Sequence, residues 1–225
     1  MRIIFVRHGH PDYVKDCLTD LGHPQAEAAA ERLKDEKIDK IFSSSCGRAV
    51  ETAEHIASRH ALLVEQLDFM RELDWGRPDS DDFVHPWFVA DSWIENGKDI
   101  MNSNWEKDLD YAGHKIVPNI HKMETAFDEW LKQFGFEREG KYYRVTKENY
   151  ENIILASHGG ASSVVIAHLF NLPFPFVCRD IGCDYTGITI VTLEGSEGSL
   201  AAPRFKTVND SRHIEGITTE NVFGR

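Results

Sequence analysis

Long apolar runs are missing from this chain: no stretch of its 225 residues approaches the ~18 hydrophobic residues that a membrane span needs. No signal-type segment precedes the first strand, because the sequence begins inside it, so no export leader is expected. Positive charge is scarce. Lys and Arg total 25 against 37 Asp and Glu, a net charge of −12, which argues against nucleic acid or an anionic membrane as partner. No basic patch with interleaved aromatics relieves that balance. The four cysteines, Cys17, Cys46, Cys178 and Cys183, show no Cys-x-x-Cys spacing; a zinc site is not expected, and they read as reduced thiols of a cytoplasmic protein. Cys46 stands close to Arg48 and is either a reactive thiol or a small packing residue. Internal repeats, low-complexity tracts and Pro/Gly-rich linkers are absent too. With nothing to divide it, a chain of this length is expected to form one domain over residues 1–225 with a single sizeable core.

What is present is a pattern of strands that end in chemistry. Ile3-Ile4-Phe5-Val6 is an apolar run of the kind covered on both faces, and it breaks into Arg7-His8-Gly9-His10. Residues 37–45 form a second short run ending in small polar residues, followed by Cys46-Gly47-Arg48 and a helically spaced segment, so Arg48 falls in the first turn of a helix. Residues 152–157 form a third, entering His158-Gly159-Gly160 and an apolar helix over 161–170. Ligands bind at the carboxyl ends of strands in open α/β sheets. Free N–H groups and the positive helix end add attraction for an anion there. If the three strands are parallel neighbours, Arg7, His8, Arg48 and His158 meet over one pocket, with forked guanidinium groups suited to phosphate.

In these motifs the sequence resembles the histidine phosphatase superfamily, the phosphoglycerate-mutase-like fold. The resemblance rests on Arg7-His8-Gly9, on Ser44 to Ala53 with Arg48-Ala49 and Thr52-Ala53, on Ser157-His158-Gly159, and on Arg71-Glu72-Leu73-Asp74-Trp75-Gly76. Leu18-Thr19-Asp20-Leu21-Gly22 fits the family's first helix entry, with Thr19 as N-cap. The likeness covers roughly 1–76 and 150–215. It implies a three-layer α/β/α sandwich with a mixed, mostly parallel sheet. It also implies that His8 is the nucleophile, that Arg7, Arg48, His158 and Gly159 bind phosphate, and that His158 also serves catalysis. Glu72 would be the proton donor, with Asp74 as the other candidate. His10 stands where many members carry a carboxylate. It is a candidate pocket residue, and the His8-x-His10 pair has no further ligand cluster to make a metal site. Val14 replaces a polar residue, usually Asn, that members often use to touch phosphate.

Residues 77–149 separate the Glu72 motif from the His158 strand and resemble the family's cap-like, specificity-setting insertion. A loop is expected from Arg77 to Asp82 and a helix over 119–134 with Gly135 as its C-cap. Residues 140–145 read as the second half of a hairpin. His85, Trp87 and Trp93 are candidates for a substrate-facing wall, or else pack the insertion onto the core. Residues 186–193 read as a strand that 200–208 pairs with across a turn at 194–199.

Over residues 71–110 eleven acids face four bases, a net of −7. Together with the absence after Glu72 of the Arg and Tyr usual in the glycolytic mutases of the family it resembles, this speaks against phosphoglycerates and sugar bisphosphates. The expectation is a phosphatase, a histidine acid-type phosphomonoesterase, that hydrolyses a small phosphorylated substrate through a phosphohistidine and needs no metal or organic cofactor. A homodimer is left open. Two alternatives stand beside it: a mutase-like phosphotransferase, and a catalytically weak phospho-ligand-binding regulatory protein.

Overall fold

The computed structural model describes residues 1–78 and 85–217. The expected loop is therefore seen only at Arg77 and Pro78, and 79–82 lie outside the described residues. The apolar run at the start forms β1 (Arg2–Arg7). Its residues from Ile3 to Val6 are all buried, because both faces of the strand are covered. Next in the chain come β2 (Pro11–Asp12) and β3 (Cys17–Leu18), a small hairpin, and then α1 (Gly22–Leu33). β4 (Lys40–Ser44) leads into α2 (Gly47–His60), and β5 (Val64–Leu67) follows. After α3 (Pro86–Glu95) and α4 (Ile116–Lys132) come β6 (Phe136–Glu139) and β7 (Tyr142–Val145). β8 (Asn152–Ser157), α5 (Gly159–Phe170), α6 (Phe174–Asp180), β9 (Ile188–Thr192), β10 (Leu200–Ala201) and β11 (Arg204–Asp210) complete the order.

The main sheet runs β11-β9-β1-β8-β4-β5. β1, β8, β4 and β5 are mutually parallel, and β9 runs antiparallel to β1 and β11. Alternation along β1 divides the core in two. Ile4 and Val6 pack with Ala30 and Leu33 of α1 and with Ala53 and Ile56 of α2. Ile3 and Phe5 pack on the other side with Phe127 and Trp130 of α4 and Val164 and Val165 of α5. The architecture is thus a three-layer α/β/α sandwich with a mixed, mostly parallel sheet. The register sets Arg7 opposite Ser157, so the β1 and β8 ends, with His8 and His158 just beyond them, emerge side by side. A bond from His8 N–H to the Ser157 carbonyl (2.9 Å) ties the two ends together.

Several local expectations shift. Helix α4 starts at Ile116 rather than 119, since Pro118 sits in the first turn, where a missing N–H is tolerated. Its C-cap is Gln133, and Gly135 lies two residues beyond with φ +87°. The first residue of α1 is Gly22, whose N–H donates to Thr19 Oγ1 (3.1 Å); Thr19 gives a capping bond from three residues upstream. The 200–208 segment splits: Arg204 onward pairs with β9, whereas β10 pairs with β7 in a separate sheet, β10-β7-β6. Within 77–149, α4 belongs to the layer that covers the sheet rather than to a cap.

Candidate active site

The parallel strands β1, β4 and β8 end on the same edge of the sheet, and the segments leaving them bring His8, Arg48 and His158 together. His8 follows β1 and is 1% exposed. Its Nδ1 lies 2.7 Å from the Gly9 carbonyl. A carbonyl only accepts, so Nδ1 carries the proton and Nε2 keeps its lone pair. Arg48, the second residue of α2, directs Nε at that Nε2 from 3.4 Å. The His158 ring stands edge-on to His8 with centroids 5.1 Å apart. Its Nε2 meets Ser44 Oγ at 2.8 Å, while its buried Nδ1 has no protein partner among the described residues. Arg7 Nη1 donates to the Cys183 carbonyl (2.5 Å), and its guanidinium lies 4.3 Å from the centre of the Tyr185 ring.

Burial first, then His158 and Arg7, hold the His8 imidazole well below the ordinary histidine range. The same holds for His158, where burial is followed by Arg48, Arg7 and Arg71. Both rings are neutral near pH 7, the form of His8 that retains a nucleophilic lone pair. The arginines add to this shift, but desolvation is the larger cause.

Glu72 crosses 88 positions of sequence to dock at the start of α5. Its Oε1 accepts from Ala161 N–H at 3.0 Å and Leu73 N–H at 3.1 Å, and Oε2 from Gly160 N–H at 3.4 Å. Those donors and Arg7 favour the carboxylate, but burial outweighs them and pushes Glu72 up. Gly160 makes the docking possible: a Cβ there would stand 2.6 Å from the Trp75 ring and 2.7 Å from Glu72 Oε1. Asp74, the other candidate acid, turns outward to Lys115 (3.5 Å) with a side chain 68% exposed.

The remaining candidates fall on both sides of the pocket wall. A Cβ on Gly159 would lie 3.6 Å from Arg7 Nε, which puts that helix start against the guanidinium. His10 bonds Thr19 Oγ1 through Nδ1 (2.8 Å) and its ring meets Tyr185 edge-on at 5.4 Å. His85 stacks on Trp87 at 4.3 Å, and both rings contact Trp75, the residue that also abuts Gly160. Trp93 does not face the basin. It is 2% exposed, donates Nε1–H to Asp110 (2.7 Å) and packs on Tyr111, so it holds the insertion together. Val14 is 97% exposed.

Sequence reasoning missed Tyr185, Tyr13 and Asp16. Tyr185 lies 5.9 Å ring to ring from His8 and under the Arg7 guanidinium. The Tyr13 ring lies 5.3 Å from the Arg48 guanidinium. Asp16 forms an ion pair with Arg48. No motif marks these positions; only the fold brings them to the arginines.

Residues 3–85 match the model of the histidine phosphatase superfamily (branch 1). The chain is 27% identical over 181 residues to the glucosyl-3-phosphoglycerate phosphatase of Mycobacterium tuberculosis, covering 76% of each protein. It is 25% identical to fructose-2,6-bisphosphatase TIGAR B of Danio rerio, with 96% of each covered. Among solved structures, the phosphoserine phosphatase of Entamoeba histolytica in complex with 3-phosphoglyceric acid superposes with a TM-score of 0.62 at 21% identity, covering 95% of this chain and 98% of that one. Matched segment, relatives and architecture agree: the chain is similar to the histidine phosphatase superfamily, and its fold is phosphoglycerate-mutase-like.

Proposed function

We propose that this protein is a phosphatase that hydrolyses a small phosphomonoester through a phosphohistidine on His8. One observation carries the reading: a buried, neutral imidazole with its Nε2 lone pair turned toward Arg48 and the proton fixed on Nδ1. In the first step His8 Nε2 attacks phosphorus while the ester P–O bond breaks, and Glu72 gives its proton to the departing oxygen. In the second step the Glu72 carboxylate takes a proton from water, whose oxygen attacks phosphorus. The N–P bond breaks, inorganic phosphate leaves, and His8 is neutral again. Arg7, Arg48 and the unpaired Nδ1 of His158 surround the space where phosphoryl oxygens carry charge, and such preorganised donors are the main source of rate in phosphoryl transfer. In this reading the arginines supply the positive charge and His8 the nucleophile, so the chemistry requires no metal or organic cofactor.

Relatives named as phosphatases of glucosyl-3-phosphoglycerate and phosphoserine support a small phosphorylated metabolite as substrate. The surplus of acids over 71–110 favours esters with little further negative charge. Four free cysteines fit a reducing, cytoplasmic setting. The test is turnover of nitrophenyl phosphate with rapid acid-free quenching. Wild-type protein is expected to release phosphate and to carry acid-labile, base-stable label on His8, and His8→Ala to be folded and inactive. Label on a serine or cysteine, or turnover by His8→Ala, refutes the mechanism.

A further inference from the structure

We infer that Asp16 is the positioning residue that aims Arg48 at the reacting phosphoryl group. This rests on the phosphatase reading and goes beyond it. Asp16 lies in the short loop between β2 and β3, with φ +53°, a left-handed conformation that Asp tolerates better than most non-glycine residues. Its carboxylate spans two donors at the start of α2: Oδ1 pairs with Arg48 Nη1, and Oδ2 accepts from Gly47 N–H at 2.9 Å. The loop approaches so closely that a Cβ on Gly47 would run into the Asp16 carbonyl. A second anchor, the Leu18 N–H to Glu51 (2.6 Å), fastens the other end of the loop to the same helix.

The consequence is directional. A guanidinium has two edges able to hold an oxyanion pair, and a free Arg side chain samples many rotamers. Here Asp16 occupies Nη1, the Tyr13 ring lies beside the guanidinium, and Nε points to His8 Nε2. The edge left over, Nε with Nη2, is the one that faces the nucleophile. The carboxylate therefore does not compete for the phosphoryl oxygens; it fixes which edge of Arg48 receives them. It contacts no substrate atom itself. A misplaced donor costs rate even when it remains present.

The test is a double-mutant cycle on nitrophenyl phosphate with Asp16→Ala, Asp16→Asn, Arg48→Ala and Asp16→Ala/Arg48→Ala, each checked for folding by circular dichroism. Asp16→Ala is expected to lose about 10- to 100-fold in kcat, with a smaller change in KM. Asp16→Asn keeps one acceptor and is expected to recover part of that loss. In the Arg48→Ala background the further change to Asp16→Ala is expected to cost nothing, because the arm it aims is gone. Additive losses in the double variant, an unchanged kcat in Asp16→Ala, or faster turnover with tighter phosphate inhibition would each overturn the inference, the last by making Asp16 a competitor for Arg48. A wild-type protein inert toward all phosphomonoesters would instead count against the phosphatase reading.

Discussion

The sharpest assignments concern single side chains. Glu72 is the acid of the proposed mechanism, and burial raises its pKa against three backbone N–H donors and Arg7. Glu72→Gln is therefore expected to slow alkyl phosphate hydrolysis by about 10²- to 10⁴-fold. Nitrophenyl phosphate should suffer far less, since its leaving anion needs no proton. Equal losses on both substrates would remove Glu72 from the proton transfer. Gly160→Ala approaches the same point from the other side of the contact. The added methyl group collides with the Trp75 ring and with Glu72 Oε1. An overpacked site of this kind costs about 1–3 kcal/mol of stability. The variant is expected to show a lower melting temperature and the same leaving-group discrimination as Glu72→Gln.

At the scale of elements, the proposed chemistry depends on three strand ends and on the starts of α2 and α5. β1 and β8 deliver His8 and His158 as neighbours, β4 delivers Ser44 to His158 and leads into Arg48, and α5 receives Glu72. Packing these ends under helix layers buries the two histidines, and burial sets the pH profile. In the proposed mechanism His8 must be neutral to attack, and its pKa lies well below the ordinary 6.5. The acid limb of kcat/KM is thus expected below the normal histidine range, with activity lost only as pH falls through that lowered value. In the same mechanism Glu72 must be protonated for poor leaving groups, and its pKa lies above the ordinary 4.5. For alkyl phosphates the rate should fall as pH rises through that raised value, while nitrophenyl phosphate lacks this basic limb. Profiles with the two substrates check both signs. An acid limb centred on 6.5 would mean that His8 is solvated in the working enzyme.

Over the whole molecule, histidines oppose one another in their effect on stability. His8 and His158 are disfavoured as cations in the fold, so they weaken it as pH falls below the unfolded histidine value. His168 behaves in the opposite way, far from the site. Burial alone would lower its pKa, but Asp128 (2.8 Å) and Glu124 (3.5 Å) on α4 overcome that and raise it. This pairing joins α5 to α4 and contributes fully below the unfolded pKa, then disappears as pH rises through the raised folded value. Hydrogen bonds to charged groups are worth about 1.5–3 kcal/mol. His168→Gln is thus expected to lower the melting temperature more at about pH 5.5 than at about pH 8.5. A deficit that does not change with pH would show that the ring acts by packing alone.

The sequence by itself determined the elements that carry the proposed catalytic groups. Ile3 to Val6 encodes a doubly covered strand, and the breaks at Arg7-His8-Gly9, Gly47-Arg48 and His158-Gly159 mark where strands and turns give way to chemistry. These signals are local, set by backbone preference and by the period of apolar residues. What periodicity does not encode is the partner. It marks Trp93 as apolar without saying whether it faces substrate or Tyr111, and it gives 200–208 a strand pattern without dividing it between β7 and β9. Asp16 reads as one more acid in an acidic chain until the loop lays it on Arg48. Tyr185 precedes a strand without any pattern of its own. Only the tertiary structure decided these, because each depends on surfaces brought together from distant positions, and Glu72 reaches its helix start only when the sheet has placed β8 beside β1.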